Sequence, residues 1–99
     1  MDSQTASCAG LLKVLSDETR LAVVRLLLEE PRRVGQLSQD LHVEQSLLSH
    51  HLKVLREAGL VETQRDGKSV LYSLSPSMRR RARGEAIDLG CCLISFAGR

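Results

Sequence analysis

Residues 34–58, VGQLSQDLHVEQSLLSHHLKVLREA, decide how this chain folds. Val34, Leu37 and Leu41 stand at i, i+3 and i+7, an apolar stripe along two helical turns. His42 to Glu44 leave room only for a tight turn. From Gln45 to Ala58 a second stripe follows, made of Leu48, Leu52 and Leu55, with Ser46, Ser49, His50 and Lys53 on the opposite face. Gly59 then stops the helix, as a residue just past a helix end does. Two short helices joined by so short a turn make a helix-turn-helix spanning about residues 34–58.

Outward from this unit the periodicity changes. Leu60 to Arg65 and Ser69 to Leu74 alternate rather than repeat helically, and Asp66-Gly67 between them is a strong hairpin signal, so a β-hairpin is expected over about 60–74. On the N-terminal side, Leu11, Leu12 and Leu15 give residues 8–15 an apolar stripe. Ser16, Asp17 and Glu18 provide a cap and acidic first turn for a strongly apolar helix from Thr19 to Glu30, which Pro31 ends. A last helix is expected from about Ser77 to Leu89, with Gly90 as its stop. The fold class is therefore mainly α with a β-hairpin, in a single domain covering residues 1–99.

Composition narrows the function. Hydrophobic residues make up 42% of the chain, too many for a disordered segment. Tyr72 and Phe96 are the only aromatics, which argues against a reader that stacks unpaired bases. No apolar run approaches the roughly 18 residues of a membrane span, and Met1 to Ser7 show no basic-then-apolar leader. Three cysteines, Cys8, Cys91 and Cys92, are too few for a disulfide scaffold and point to a cytoplasmic protein with reduced thiols. The formal net charge of +2 hides a contrast: residues 1–44 balance to −2, residues 45–83 to +5, and the remainder to −1. A positive middle between acidic ends suits a surface that faces a polyanion.

The chemistry of the second helix sharpens that reading. A helix entering the major groove needs short polar side chains so that its backbone can approach base edges. Gln45, Ser46, Ser49 and His50 have that character, and Lys53 beyond them suits a phosphate. Arg65 and Lys68 tip the hairpin, where they could reach flanking backbone or the minor groove. The plain alternative for the helix is a solvated polar face, which a hairpin tipped by Arg65 and Lys68 directly behind it makes less attractive. His51 neighbours the reading face but is expected to pack or hydrogen-bond internally. Arg79, Arg80, Arg81 and Arg83 read as a solvated helix start that adds longer-range attraction.

The runs LSDETRLAVVRLL, VGQLSQDL, QSLLSHHLKVLREAGLV and RDGKSVLYSL, within residues 11–75, resemble the ArsR/SmtB family of metalloregulatory repressors. The resemblance implies a winged helix-turn-helix homodimer joined through its first and last helices. The free dimer would occupy pseudo-palindromic duplex operator DNA, with no cofactor required, until an inducer releases it. Gln45, Ser46, Ser49 and His50 would then read bases and the wing residues Arg65 and Lys68 would touch the backbone. Two positions depart from the family pattern: His42 stands where Gly or Asn is common, and Glu44 where Ser or Thr is.

The family's inducer sites can be checked position by position. Where an arsenic or cadmium site would carry Cys-x-Cys, this chain has Arg33 and Gly35; where a zinc site would carry Asp-x-His, it has Asp88 and Gly90. Both sites are missing, which makes zinc and nickel poor inducers. Sulfur remains. If first and last helices pair across the dimer, Cys8 of one chain could approach Cys91 and Cys92 of the other. Such a set suits As(III) or Sb(III), and less well Cd(II), Pb(II) or Cu(I). The flexible Gly90 would help turn both tail sulfurs inward, placing a dimerisation helix and cysteine tail at about residues 77–99.

Three other readings stay open. The cysteines could simply fill core space. The chain could be a thiol-redox or persulfide-sensing repressor in which Cys8 bonds one of the tail pair, since adjacent Cα atoms at about 3.8 Å disfavour a Cys91–Cys92 disulfide. A winged helix could also serve as a protein-interaction module. No acid/base pair, activated nucleophile or phosphate loop points to an enzyme.

Overall fold

The computed structural model describes residues 7–81 and 86–96. Among the described residues, five helices and two small antiparallel sheets follow in the order α1 (Cys8–Leu15), α2 (Glu18–Glu29), β1 (Arg32–Arg33), α3 (Val34–Leu41), α4 (Gln45–Glu57), β2 (Val61–Asp66), β3 (Ser69–Leu74), α5 (Pro76–Arg81), β4 (Ala86–Asp88) and β5 (Leu93–Ser95). Among the described residues no helix is long and apolar enough to cross a membrane.

Local chemistry sets the helix ends. Ser7 caps α1 by accepting from the Gly10 N–H at 3.0 Å, and Asp17, rather than Ser16, caps α2 by accepting from the Arg20 N–H at 3.0 Å. The α4 helix closes with a Schellman pair: the Gly59 N–H donates to the Arg56 carbonyl and the Leu60 N–H to the Leu55 carbonyl, both at 3.0 Å. Gly59 takes φ +81°, which its missing Cβ permits.

Apolar stripes meet in one core. Val23, Val24 and Leu27 of α2, Leu37 of α3, and Leu48, Leu52 and Leu55 of α4 are buried together, with Leu60, Val61 and Leu74 sealing the base of the hairpin. Each such side chain contributes about 1.5–3 kcal/mol relative to exposure. Ser75 locks that base, its N–H donating to the Leu60 carbonyl at 3.0 Å and its hydroxyl to the Gly59 carbonyl at 2.7 Å.

The hairpin is the expected wing. β2 and β3 pair from Val61↔Leu74 out to Asp66↔Ser69, so the two-residue loop is Gly67-Lys68 and Asp66 closes the ladder. Gly67 takes φ +66° at the first loop position, as a primed turn requires. The short strand β1 adds to β3 (Arg32↔Tyr72, Arg33↔Leu71), giving sheet order β1-β3-β2. Arg32 anchors it, donating to Asp40 at 3.0 Å, to Glu29 at 2.9 Å and to the Leu26 carbonyl at 3.4 Å.

The C-terminal end departs from expectation. Instead of one helix over 77–89, helix α5 is described over Pro76–Arg81, and residues 86–88 form a strand paired with 93–95 (Ala86↔Ser95, Ile87↔Ile94, Asp88↔Leu93). The physical reason lies in the residues. Ile87 is β-branched and fully buried, Gly90 turns the chain at φ +94°, and Leu93 to Phe96 alternate exposed and half-buried, a period of two. Gly84, Arg83 and the side chains of Arg79, Arg80 and Arg81 lie outside the described residues.

Candidate DNA-reading face and sulfur cluster

The reading face begins at the turn. His42 takes φ 57° and ψ 44°, the only non-glycine positive φ among the described residues, so the departure from Gly or Asn is accommodated in the left-handed region. The Ser38 hydroxyl donates to the Val43 carbonyl at 2.6 Å, and the Val43 N–H returns to the Ser38 carbonyl at 3.2 Å. This small ring fixes the angle at which α4 leaves α3.

Helix α4 then divides as its sequence dictates. Leu48, His51, Leu52 and Leu55 are buried, whereas Gln45, Ser46, Ser49, His50 and Lys53 are exposed along the other side. Arg65 and Lys68 are exposed on the wing. All seven expected DNA contacts thus face solvent. Glu44 makes no side-chain cap bond to α4; its carboxylate accepts from the Ser46 hydroxyl at 2.7 Å instead. In the free protein that serine proton is therefore already engaged.

His51 is buried beneath this face, as expected. The Arg20 guanidinium lies 3.1 Å from His51 Nδ1. The Nε–H of Arg20 donates to the Val14 carbonyl at 2.7 Å, capping the end of α1. Asp17 Oδ1 lies 4.0 Å from His51 Nδ1. Its carboxyl is held below the ordinary aspartate range, chiefly by the bond from the Arg20 N–H, aided by the charges of His51 and Arg20 against the opposing effect of burial. One arginine thus joins α1, α2 and α4. Sequence reading missed Arg20, although its place one turn after a capping aspartate was a usable signal.

The three cysteines meet within one chain. Cys8 and Cys91 are joined by a disulfide with Cα atoms 6.0 Å apart across a separation of 83 residues. Cys92 is free and half-buried, its Sγ 4.0 Å from that of Cys8, and all three sulfurs lie within 4.8 Å of one another. The arrangement follows from the hairpin loop between β4 and β5. The Leu89 N–H donates to the Cys92 carbonyl at 2.8 Å, and Asp88 Oδ1 accepts from the Gly90 N–H at 2.8 Å. Gly90 therefore serves as a hairpin corner rather than a helix stop, and Asp88 is committed to that corner. The expectation that Cys8 reaches across a dimer is not needed to assemble the cluster, and the expectation of three reduced thiols is replaced by one thiol and one disulfide. A bond from Cys8 to one member of the pair, rather than between the two neighbours, is the pairing expected under the thiol-redox alternative.

A three-helix core with an exposed polar α4 and a two-stranded wing that presents Arg65 and Lys68 defines a winged-helix DNA-binding regulator of transcription. Residues 17–63 match the family described as bacterial regulatory protein, arsR family, and the chain belongs to that family. It is 41% identical over 75 residues to the transcriptional activator HlyU of Vibrio cholerae, covering 76% of this chain and 69% of that protein. It is 43% identical over 75 residues to the biofilm growth-associated repressor of Xylella fastidiosa, covering 76% of this chain and 66% of that one. A solved structure of reduced HlyU from Vibrio cholerae superposes with a TM-score of 0.65 at 43% identity, covering 68% of this chain and 70% of the other. One of these relatives is a transcriptional activator and the other a repressor.

Proposed function

We propose that this chain is a cytoplasmic, homodimeric repressor that holds duplex operator DNA through Gln45, Ser46, Ser49, His50, Lys53, Arg65 and Lys68, and releases it when Cys8, Cys91 and Cys92 take up trivalent arsenic or antimony. The observation that carries this reading is the convergence of three sulfurs within 4.8 Å in one chain. A trivalent pnictogen with a lone pair is held by three thiolates in a pyramid, and no imidazole or carboxylate is required. Binding of arsenous acid to three thiols releases three waters, so the Cys8–Cys91 disulfide must first accept two electrons and two protons from a thiol reductant. Exposed Leu12 on α1 and Leu93 on β5 offer apolar surface to a second copy at the ends of the chain where the family resemblance places dimerisation.

The experiment is operator release, followed by fluorescence anisotropy of a labelled duplex against arsenite, antimonite, Cd(II), Zn(II) and polysulfide, after full reduction. Arsenite should release the wild type and fail on the variant with all three cysteines changed to serine. Release that survives that triple substitution overturns the reading.

A second reading is supported by the Cys8–Cys91 bond itself. Peroxide would take the two thiols to a disulfide with release of two waters, and the oxidised form would lose the operator. Polysulfide would reach the same bond through a persulfide. Peroxide or polysulfide acting on the reduced protein without arsenite, and failing on Cys8→Ser, would favour it over pnictogen sensing.

A further inference from the structure

Between α3 and the wing runs a groove of about 660 Å³ whose lining includes Arg33, Gln36, Gln39, Gln45, Lys68 and Tyr72. Its two rims are the parts of the molecule that a winged helix puts into DNA: the start of α4 on one side and the wing tip on the other. A reading helix seated in the major groove and a wing in the neighbouring minor groove must straddle the sugar-phosphate ridge that separates them. That ridge can only occupy the concavity between helix and wing.

We propose that this groove is the cradle of one DNA strand's backbone, and that Arg33 is a phosphate contact held in reserve by Asp66. Arg33 is the N-cap residue of α3; its own N–H is satisfied by Gln36 Oε1 at 2.9 Å. Its guanidinium instead reaches across to the wing and pairs with the Asp66 carboxylate. Both side chains remain nearly half exposed, 46% and 47%. The pair is therefore solvated, and such pairs contribute little to stability. A carboxylate at the wing tip beside a polyanion is a repulsive element unless a cation covers it. Arg33 covers it in the free protein, and a phosphate entering the groove competes for the same guanidinium, which matches phosphate geometry as well as it matches carboxylate. Asp66 thus weakens binding to every duplex equally. It sets affinity without touching sequence preference, since phosphate contacts carry no base information.

The inference rests on the DNA-binding reading above, and two substitutions test it by opposite signs. Fluorescence anisotropy would follow Kd for operator and for scrambled duplex across a salt series, with thermal unfolding as the fold control. Asp66→Asn should tighten binding to both duplexes by roughly threefold to tenfold and steepen the salt dependence. Arg33→Gln should weaken both by a similar factor and lower the slope of log K against log salt by about one. Arg33→Lys, which keeps the charge but loses the fork, should fall between. If the pair is only a latch that holds the wing, both Asp66→Asn and Arg33→Gln will weaken binding, and the proposal is overturned. A wild type that binds no duplex at all would instead remove the DNA-binding reading beneath it.

Discussion

The two working ends of this chain are held by opposite kinds of chemistry. The reading head rests on Leu37, Leu48, Leu52 and Leu55, all fully buried, with no covalent help. The sulfur end consists of a three-residue strand pair and an eight-residue helix joined by one covalent bond, with Cys8 and Cys91 at opposite ends of the chain. Apolar packing is insensitive to oxidant and to soft ions, whereas a dithiol–disulfide couple responds to oxidant and reductant, and its reduced thiolates to soft ions. The difference teaches where a signal can enter: stability of the head is fixed by solvent, and stability of the tail is open to chemistry.

The largest expected effect tests the head. Leu52→Ala leaves a cavity in a fully buried site and should cost about 2–5 kcal/mol, a large share of the stability of so small a domain. Urea unfolding should show that loss in both reduced and oxidised protein. Next comes the tail. Cys8→Ser, or reduction of the wild type, opens a loop of 83 residues' separation and should cost about 2–4 kcal/mol. Combining Leu52→Ala with reduction sharpens the contrast. Costs that add within about 0.5 kcal/mol mean independent regions, and a larger discrepancy means that sulfur chemistry reaches the head.

DNA binding supplies the next smaller effect. Gln45→Ala and Ser49→Ala should each weaken operator binding by about 1–3 kcal/mol and relax the preference over scrambled duplex, because base contacts specify. Lys53→Gln should weaken both duplexes alike and reduce the salt slope by about one. Equal losses on operator and scrambled duplex for Gln45→Ala would remove the base-reading role assigned to that residue.

The head was legible because its information is local. Stripes at helical spacing, the Gly59 stop and the Asp66-Gly67 hairpin signal each act within a few residues; the stripes and the stop fall where expected, and the turn lies one residue later, at Gly67-Lys68. His51, which neighbours the reading face in the sequence pattern, is buried as expected. The tail was less legible because its information is long-range. Ile87 suits a helix or a strand, and pairing with Leu93 to Ser95 decides between them. Nothing near Arg32 and Arg33 announces a strand; β1 exists because β3 offers it an edge. That Cys8 lies beside Cys91 depends on how the two termini cross the core, which no local pattern encodes. In the sequence Arg33 stands out only as a missing thiolate, and its pairing with Asp66 arises only once wing and α3 are brought together.

The smallest expected effect sits where the two regions join. Asp17 caps α2, and through Arg20 and His51 the same corner touches α1 and α4. Its carboxyl titrates below the ordinary aspartate value in the folded protein, so folding favours the ionised form. The resulting stabilisation is fully present above about pH 4, the unfolded aspartate value, and is lost as pH falls through the lower folded value. The side chain is 35% exposed, so solvent screens the attraction from His51 and Arg20 and the capping bond dominates. Asp17→Ala should therefore cost about 1 kcal/mol near neutral pH, whereas Asp17→Asn, which still caps, should cost less. Urea unfolding at neutral pH and near pH 3 checks the sign: the gap between wild type and Asp17→Asn should shrink on acidification. A gap that widens instead would mean that the neutral carboxyl is the favoured form and that the capping bond does not draw on the charge of Asp17.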